Sequence, residues 1–284
     1  MHIKLRPFAL TVLSLPLVAC VASSAEHAAP PFAAQTPAGV TAPAPSAFDA
    51  IHAPWSAILK THVRSGDFDY AALETDRAKF DAYITALESV KPEQLQALSK
   101  PEQFAFWTNA YNAYTVKRVV DAYPVKSIRD LGDEKASVWD REFVPLGRLY
   151  PKLGKEKLTL NDIENKLLRP LFLDARVHVA VSCASKGCPP LRAEAFTAAK
   201  LDAQLDEQAQ VWLADTTRNR FDRANSRMEI SRVFEWYGED FQRESGSVPA
   251  WIGRFRPDDK EWLVKAGTEV KYIEYDWALN DARR

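Results

Sequence analysis

Apolar positions recur with a helical period along most of the chain. Over residues 48–65, Trp55, Ile58, Leu59 and Val63 share one face, which predicts a helix. Residues 66–70 read as a turn, and residues 70–90 as a second amphipathic helix. Over 101–120, Phe104, Phe106, Trp107, Ala110, Tyr111, Ala113 and Tyr114 wrap nearly the whole circumference, so this helix is expected to be central and buried. In 142–153, FVPL and LYPKL flank Gly147-Arg148 and predict a hairpin. Thr159 and Asp162 have capping-box spacing ahead of Leu160, Ile163 and Leu167, which predicts a short helix over 159–168. Val177, Val179 and Val181 alternate with His178, Ala180 and Ser182, so 176–183 is expected to be a strand. A loop over 184–192 holds Gly187 and paired prolines. Beyond it the pattern predicts helices at 196–214 and 233–241 and strands at 228–230 and 271–277. Helices outweigh strands, and the strands are too scattered for a βαβ series. The expected fold class is α+β: a helix-rich single domain with a small, largely antiparallel sheet.

Ahead of that domain the pattern changes twice. Lys4 and Arg6 precede an uncharged, mostly apolar run of about 14 residues, short of the roughly 20 that span a bilayer. Leu17-Val18-Ala19-Cys20 resembles the lipobox of bacterial lipoproteins, which implies that Cys20 carries a lipid; cleavage after Ala25 is the plainer alternative. Val21 follows the cysteine where an acidic residue would favour the inner membrane, so the outer membrane is expected. Residues 26–46, rich in Ala and Pro, have neither period and bury too little apolar surface to order. The expected organisation is a signal segment at 1–20, a tether at 21–47 and a globular domain at 48–284, anchored in the cell envelope and facing the periplasm.

Composition narrows the partners. With 37 basic and 38 acidic residues the chain offers no basic field to nucleic acid. The hydrophobic content is 46%, with eight Trp and fourteen Phe, enough for a substantial core. The partners expected are the membrane, through the lipid, and an unidentified small-molecule or envelope substrate. Of three cysteines, a lipidated Cys20 leaves Cys183 and Cys188 as an even pair in an oxidising compartment.

The densest chemistry lies in His178-Val-Ala-Val-Ser-Cys183-Ala-Ser-Lys-Gly-Cys188-Pro-Pro-Leu-Arg192. Cys183 is the candidate nucleophile, with Lys186 and Arg192 near in sequence to stabilise a thiolate. On the strand reading, His178 and Cys183 lie roughly 16 Å apart on opposite faces, so they form no dyad unless the strand breaks. The bland reading of the cysteines is a Cys183–Cys188 disulfide stapling the loop. A metal bound by His178, Cys183 and Cys188 is a third, weakened by the same strand geometry. Glu164 is either a general base or an exposed helix carboxylate. Asn109 and Asn112 share a face of the central helix, as anchors of the loop's backbone or as substrate-orienting groups with Ser185. Asp276 and Asn280 are similarly open. Phosphate loops, HExxH helices and GxSxG elbows are absent, and neither a metal nor a cofactor is assigned.

The stretches FWTNAYNAYTVKRV (106–119), LTLNDIENKLLR (158–169), RVHVAVSCASKGCPPLR (176–192), ISRVFEWYGEDF (230–241) and YDWALN (275–280) together resemble the domain of unknown function 547 family. The family pattern falls on Trp107, Asn109, Asn112, Glu164, Arg169, Cys183, Ser185, Pro189, Tyr237, Asp240, Phe241 and Asp276; where the family usually has His after Glu164, this chain has Asn165. The resemblance implies a site without implying a reaction. Two classes follow. One is a cysteine-dependent hydrolase, transferase or thiol-redox enzyme acting through Cys183, with Glu164 as base. The other is a non-catalytic envelope protein that binds a ligand or partner, with Cys183–Cys188 as a structural disulfide.

Overall fold

The computed structural model of the protein describes residues 48–265 and 267–283. The signal segment, Cys20 and the tether lie outside the described residues. The fold is α+β.

Helix α1 (Ala53–His62) buries Trp55, Ile58 and Leu59, as its apolar face requires. It is shorter than its pattern predicts, because β1 (Val63–Arg64) turns back on β2 (Asp67–Phe68). Ser65 and Gly66 make that turn with φ of 52° and 89°, the left-handed pair a two-residue hairpin needs. Gly66 serves twice: a Cβ there would sit 2.2 Å from Cβ of Pro190, in the cysteine loop. The expected helix 70–90 is two, α2 (Tyr70–Thr75) and α3 (Ala78–Ser89), broken at Asp76 and Arg77. After α4 (Pro92–Gln96) comes α5 (Lys100–Val120), opened by a reciprocal Ser99–Glu102 capping box. Burial runs all round α5 and takes in Asn109 and Asn112. The strongest pattern in the sequence is thus the centre of the fold.

Two expectations fail between α5 and the cysteine loop. The hairpin at 142–153 is absent: Val144 pairs antiparallel with Leu158, and tight helical turns fill 147–149 and 151–153. Pro145 and Pro151 remove the backbone donors a ladder would use. The strand at 176–183 is absent too. Val177–Ala180 is a single helical turn, and the chain becomes extended only at Val181. The alternation misled because His178 and Ala180, its supposed outer positions, are as buried as the valines. A segment enclosed on every side carries no facial signal.

The predicted helix at 159–168 is present but wound as a π-helix over Asp162–Leu168, continuing into α6 (Arg169–Phe172). Its capping box is made: the Asp162 N–H donates to Thr159 Oγ1 (2.8 Å) and the Thr159 N–H to Asp162 Oδ2 (3.0 Å). Then follow α7, the turn Val177–Ala180, and α8 (Leu201–Ala214). Strand β3 (Arg220–Asp222) pairs antiparallel with β4 (Arg227–Ser231), and β4 pairs parallel with β5 (Glu269–Ile273). The crossover carries α9 (Val233–Trp236), α10 (Gly238–Ser245), α11 (Val248–Phe255) and α12 (Lys260–Leu263).

Two apolar clusters result, one around α5 and the other around Trp212, Phe234, Phe241 and Trp251. The segment 181–191 runs along their seam. Val181, Ala184 and Leu191 belong to the first cluster, while Cys183 packs on the second.

Candidate functional site

Helix α5 supports the site from below. Asn112, 3% exposed, donates from Nδ2 to the Ala180 carbonyl (2.9 Å) and accepts the Ser182 N–H at Oδ1 (2.8 Å). It ties down the chain just before Cys183. Asn109, one turn away, makes the same double bond to the N–H and carbonyl of Phe196 (3.0 and 2.8 Å). Both amides brace backbone, and only Asn112 holds the cysteine segment.

From above, residues 275–282 lie along the loop. Lys186 N–H donates to the Ala278 carbonyl and Gly187 N–H to that of Asp276, both at 2.8 Å, and Asn280 N–H donates to the Ala184 carbonyl (3.1 Å). Gly187 is required by this contact, since a Cβ would lie 2.9 Å from Asp276 N and 3.0 Å from the Tyr275 ring. Asp276 caps its own turn through the Ala278 N–H, and the Asn280 side chain accepts from the Tyr70 hydroxyl (2.6 Å).

These supports set the thiol's environment. Ala184 has φ of 61°, an uncommon left-handed conformation for a residue with a side chain. The Ser185 N–H hydrogen-bonds to the Cys183 sulfur. Around that sulfur also lie Ser185 Oγ (3.5 Å), the Tyr275 hydroxyl (3.0 Å) and the Cys188 thiol. Hydrogen bonding from Cys188 is the largest influence on its acidity. Burial opposes it, and the Ser185 and Tyr275 groups assist, lowering the pKa from 9.0 to about 7. Cys188 moves the other way, pushed well up by burial and by the neighbouring sulfur.

Cys183 and Cys188 are free thiols, so the expected disulfide is not present. The Cys188 sulfur instead accepts the Cys183 N–H at 2.9 Å. The His178–Cys183–Cys188 metal set fares no better: among the described residues no group of His, Cys, Asp and Glu side chains has the arrangement to hold a metal ion. Neither basic neighbour attends the thiol. Lys186 is paired with Asp67, and Arg192 with Glu194 (2.8 Å) and Glu207 (2.6 Å) on a separate groove. The donors at Cys183 are neutral groups.

Cys183 opens into a cavity of about 320 Å³. Its walls include the rings of Tyr111, Trp139, Trp236, Tyr237, Tyr275 and Trp277, and Glu164, His178 and Cys188 also line it. Trp236, 45% exposed, stacks on Trp277 at the rim. The helical turn at Val177–Ala180 delivers His178 here: a helix rises 1.5 Å per residue, under half the advance of a strand.

His178, 2% exposed, stacks on Tyr237 with ring centroids 4.0 Å apart. Its Nε2 hydrogen-bonds Asp240 Oδ2 at 2.8 Å. Burial works against ionising Asp240, but hydrogen bonds from His178, Arg169 (2.6 Å) and Arg243 (2.7 Å) hold its carboxyl well below the usual range. An ionised Asp240 accepts, so Nε2 carries the proton, and a neutral His178 presents a bare lone pair at Nδ1. Nδ1 has no hydrogen-bond partner; Glu164 Oε1 lies 3.9 Å away. Glu164, 5% exposed, hydrogen-bonds the Tyr237 hydroxyl, and burial together with this carboxylate pushes the Tyr237 phenol up. The reading of Glu164 as an exposed helix carboxylate therefore falls.

Sequence reasoning allowed His178 to serve Cys183 only if the strand broke, as it does, and missed Asp240 as the partner of His178 and the aromatic walls from Trp139, Trp236, Tyr275 and Trp277. The signals were present only as family positions, Tyr237 and Asp240, and as a Trp-rich C-terminal third.

The fold and site define a helix-rich α+β domain with a hydrogen-bonded thiol and a carboxylate-bound imidazole lining one cavity. Residues 95–213 match the model of the family described as Protein of unknown function, DUF547. That segment includes α5, Glu164, His178 and both cysteines; Tyr237, Asp240, Tyr275 and Trp277 lie beyond it. No curated protein and no solved structure matches the chain.

Proposed function

We propose that the domain is a cysteine-dependent acyl-transfer enzyme, a hydrolase or transferase, with Cys183 as nucleophile and His178 as proton carrier. One observation carries the reading: a buried imidazole, bound to Asp240 through one nitrogen and unpartnered at the other, lines the same cavity as an acidified thiol. The neutral donors favour ionisation of Cys183, and Nδ1 of neutral His178 in the same cavity takes the thiol proton to become the imidazolium. The thiolate adds to the carbonyl carbon of an ester, thioester or amide. The leaving group departs with a proton from Nδ1 of the imidazolium, and a thioester to Cys183 remains. Neutral Nδ1 then takes the proton of the incoming water or acceptor, the acyl group leaves, and the thiolate returns. Asp240 and Glu164 stabilise the imidazolium in between. The aromatic walls suit a small apolar or planar acyl group.

The exported, lipid-anchored location belongs to the same proposal and rests on the lipobox-like LVAC and the Ala/Pro-rich segment after it. The enzymatic test uses p-nitrophenyl acetate. The expected result is a burst of one nitrophenolate per chain with an acetyl group on Cys183. Cys183→Ala should give no burst, and His178→Ala should turn over roughly 100- to 10,000-fold more slowly while keeping its fold. An equal burst from Cys183→Ala would end the proposal.

A further inference from the structure

In that chemistry Cys188 only helps to acidify Cys183, yet it is a second thiol built against the nucleophile. Its sulfur accepts the Cys183 N–H at 2.9 Å, lies 3.9 Å from the Val181 carbonyl oxygen, and hydrogen-bonds the Cys183 thiol. Both sulfurs border the cavity, but Cys188 is buried at 5% exposure while Cys183 is half-buried. A turn closes the loop between them, with the Cys188 N–H on the Ser185 carbonyl (3.1 Å). A more open thiol and a more buried one in hydrogen-bond contact with it can divide the two steps of thiol–disulfide exchange.

We propose that Cys183 and Cys188 act as a dithiol that reduces small disulfides admitted to the cavity, with Cys188 as the resolving thiol. The inference rests on Cys183 being the nucleophile named above but not on acyl transfer. The Cys183 thiolate attacks one sulfur of RS–SR′: a Cys183–SR bond forms, and R′S⁻ leaves with the bonding pair. R′S⁻ takes the proton of Cys188. The Cys188 thiolate, favoured by the Cys183 N–H already aimed at it, attacks the Cys183 sulfur and expels RS⁻, which is protonated from solvent. Two electrons pass from protein to substrate; two small thiols and a Cys183–Cys188 disulfide result. An external thiol reductant restores the dithiol. The difference in acidity of the two sulfurs, one favouring attack and the other holding its proton until needed, supports the same division.

The test incubates the reduced full chain with 2-hydroxyethyl disulfide and reads intact mass and free thiols. Wild type should become two hydrogens lighter, retain no hydroxyethylthio group and release two small thiols per chain. Cys188→Ala should stop at one stable mixed disulfide on Cys183, and Cys183→Ala should leave Cys188 unmodified. Cys188→Ser, of closer size, replaces the alanine variant if melting shows that variant misfolded. A stable mixed disulfide in wild type would overturn the resolving role alone. Wild type that neither loses two hydrogens nor gains a hydroxyethylthio group would remove Cys183 as nucleophile, and the acyl-transfer reading with it.

Discussion

Asn112→Ala should be far more damaging than its chemistry suggests. The side chain satisfies two buried backbone groups, the Ala180 carbonyl and the Ser182 N–H. Alanine supplies neither bond and leaves a space too enclosed for the backbone to find other partners. A buried polar group stripped of its partner costs about 1–3 kcal/mol, so two give about 2–6 kcal/mol before any relaxation. For a domain of this size, about 2–4 °C of melting temperature per kcal/mol translates this into a fall of at least about 4 °C. Asn109→Ala removes an equivalent pair of bonds to Phe196 and should cost a similar amount. The two variants should part company in thiol reactivity. Asn112 fixes the segment that sets Cys183, so its loss should slow iodoacetamide labelling of the thiol; Asn109→Ala should label as wild type does. Calorimetry and timed alkylation on both variants make the test. Asn112→Ala melting within a degree of wild type, or both variants labelling alike, would refute the account of how the loop is held.

The pH dependence of alkylation follows from the Cys183 donors: with a pKa near 7 in place of 9.0, about half the thiol is ionised at pH 7 where an ordinary one would be about 1% ionised. The labelling rate should therefore rise through pH 7 and level off above it, and Tyr275→Phe, which deletes a donor, should move the midpoint upward. Gly187→Ala forces a methyl group against Asp276 and Tyr275 and should cost about 1–3 kcal/mol, with the labelling midpoint again raised. Asp240→Asn should preserve thiol labelling yet depress turnover of p-nitrophenyl acetate, because the amide no longer fixes the His178 proton on Nε2. Wild-type protein should fractionate with membranes and Cys20→Ser should not; mass spectrometry finding an unlipidated mature chain beginning at Glu26 would contradict the anchor.

The parts of the fold legible in the sequence are those whose cause is local. The apolar girdle of α5, the Thr159–Asp162 cap and the α+β balance each depend on spacing within a few residues. His178 was lost to one wrong period. Treated as a strand, residues 178–183 hold histidine and cysteine far apart; wound as a turn, the same residues serve one cavity. Arg192 shows the converse error, for closeness in sequence to Cys183 counted for less than the carboxylates of Glu194 and Glu207. Of the aromatic walls, only Tyr237 was marked in the sequence, as a family position. Trp139, Trp236 and Trp277 come from distant segments, and nothing in their local pattern separates a cavity wall from a core.

Tyr275 stands 92 residues after Cys183, and it belongs to the segment that clamps the cysteine loop. On the ribosome the cysteines therefore emerge long before the hydroxyl and the backbone partners that sharpen one of them. Until that segment is made, Cys183 lacks the Tyr275 hydroxyl and its loop lacks the backbone clamp. The share of the reactivity owed to Tyr275 and to this clamp is therefore acquired only after residues 275–280 have been made and have docked on the cysteine loop.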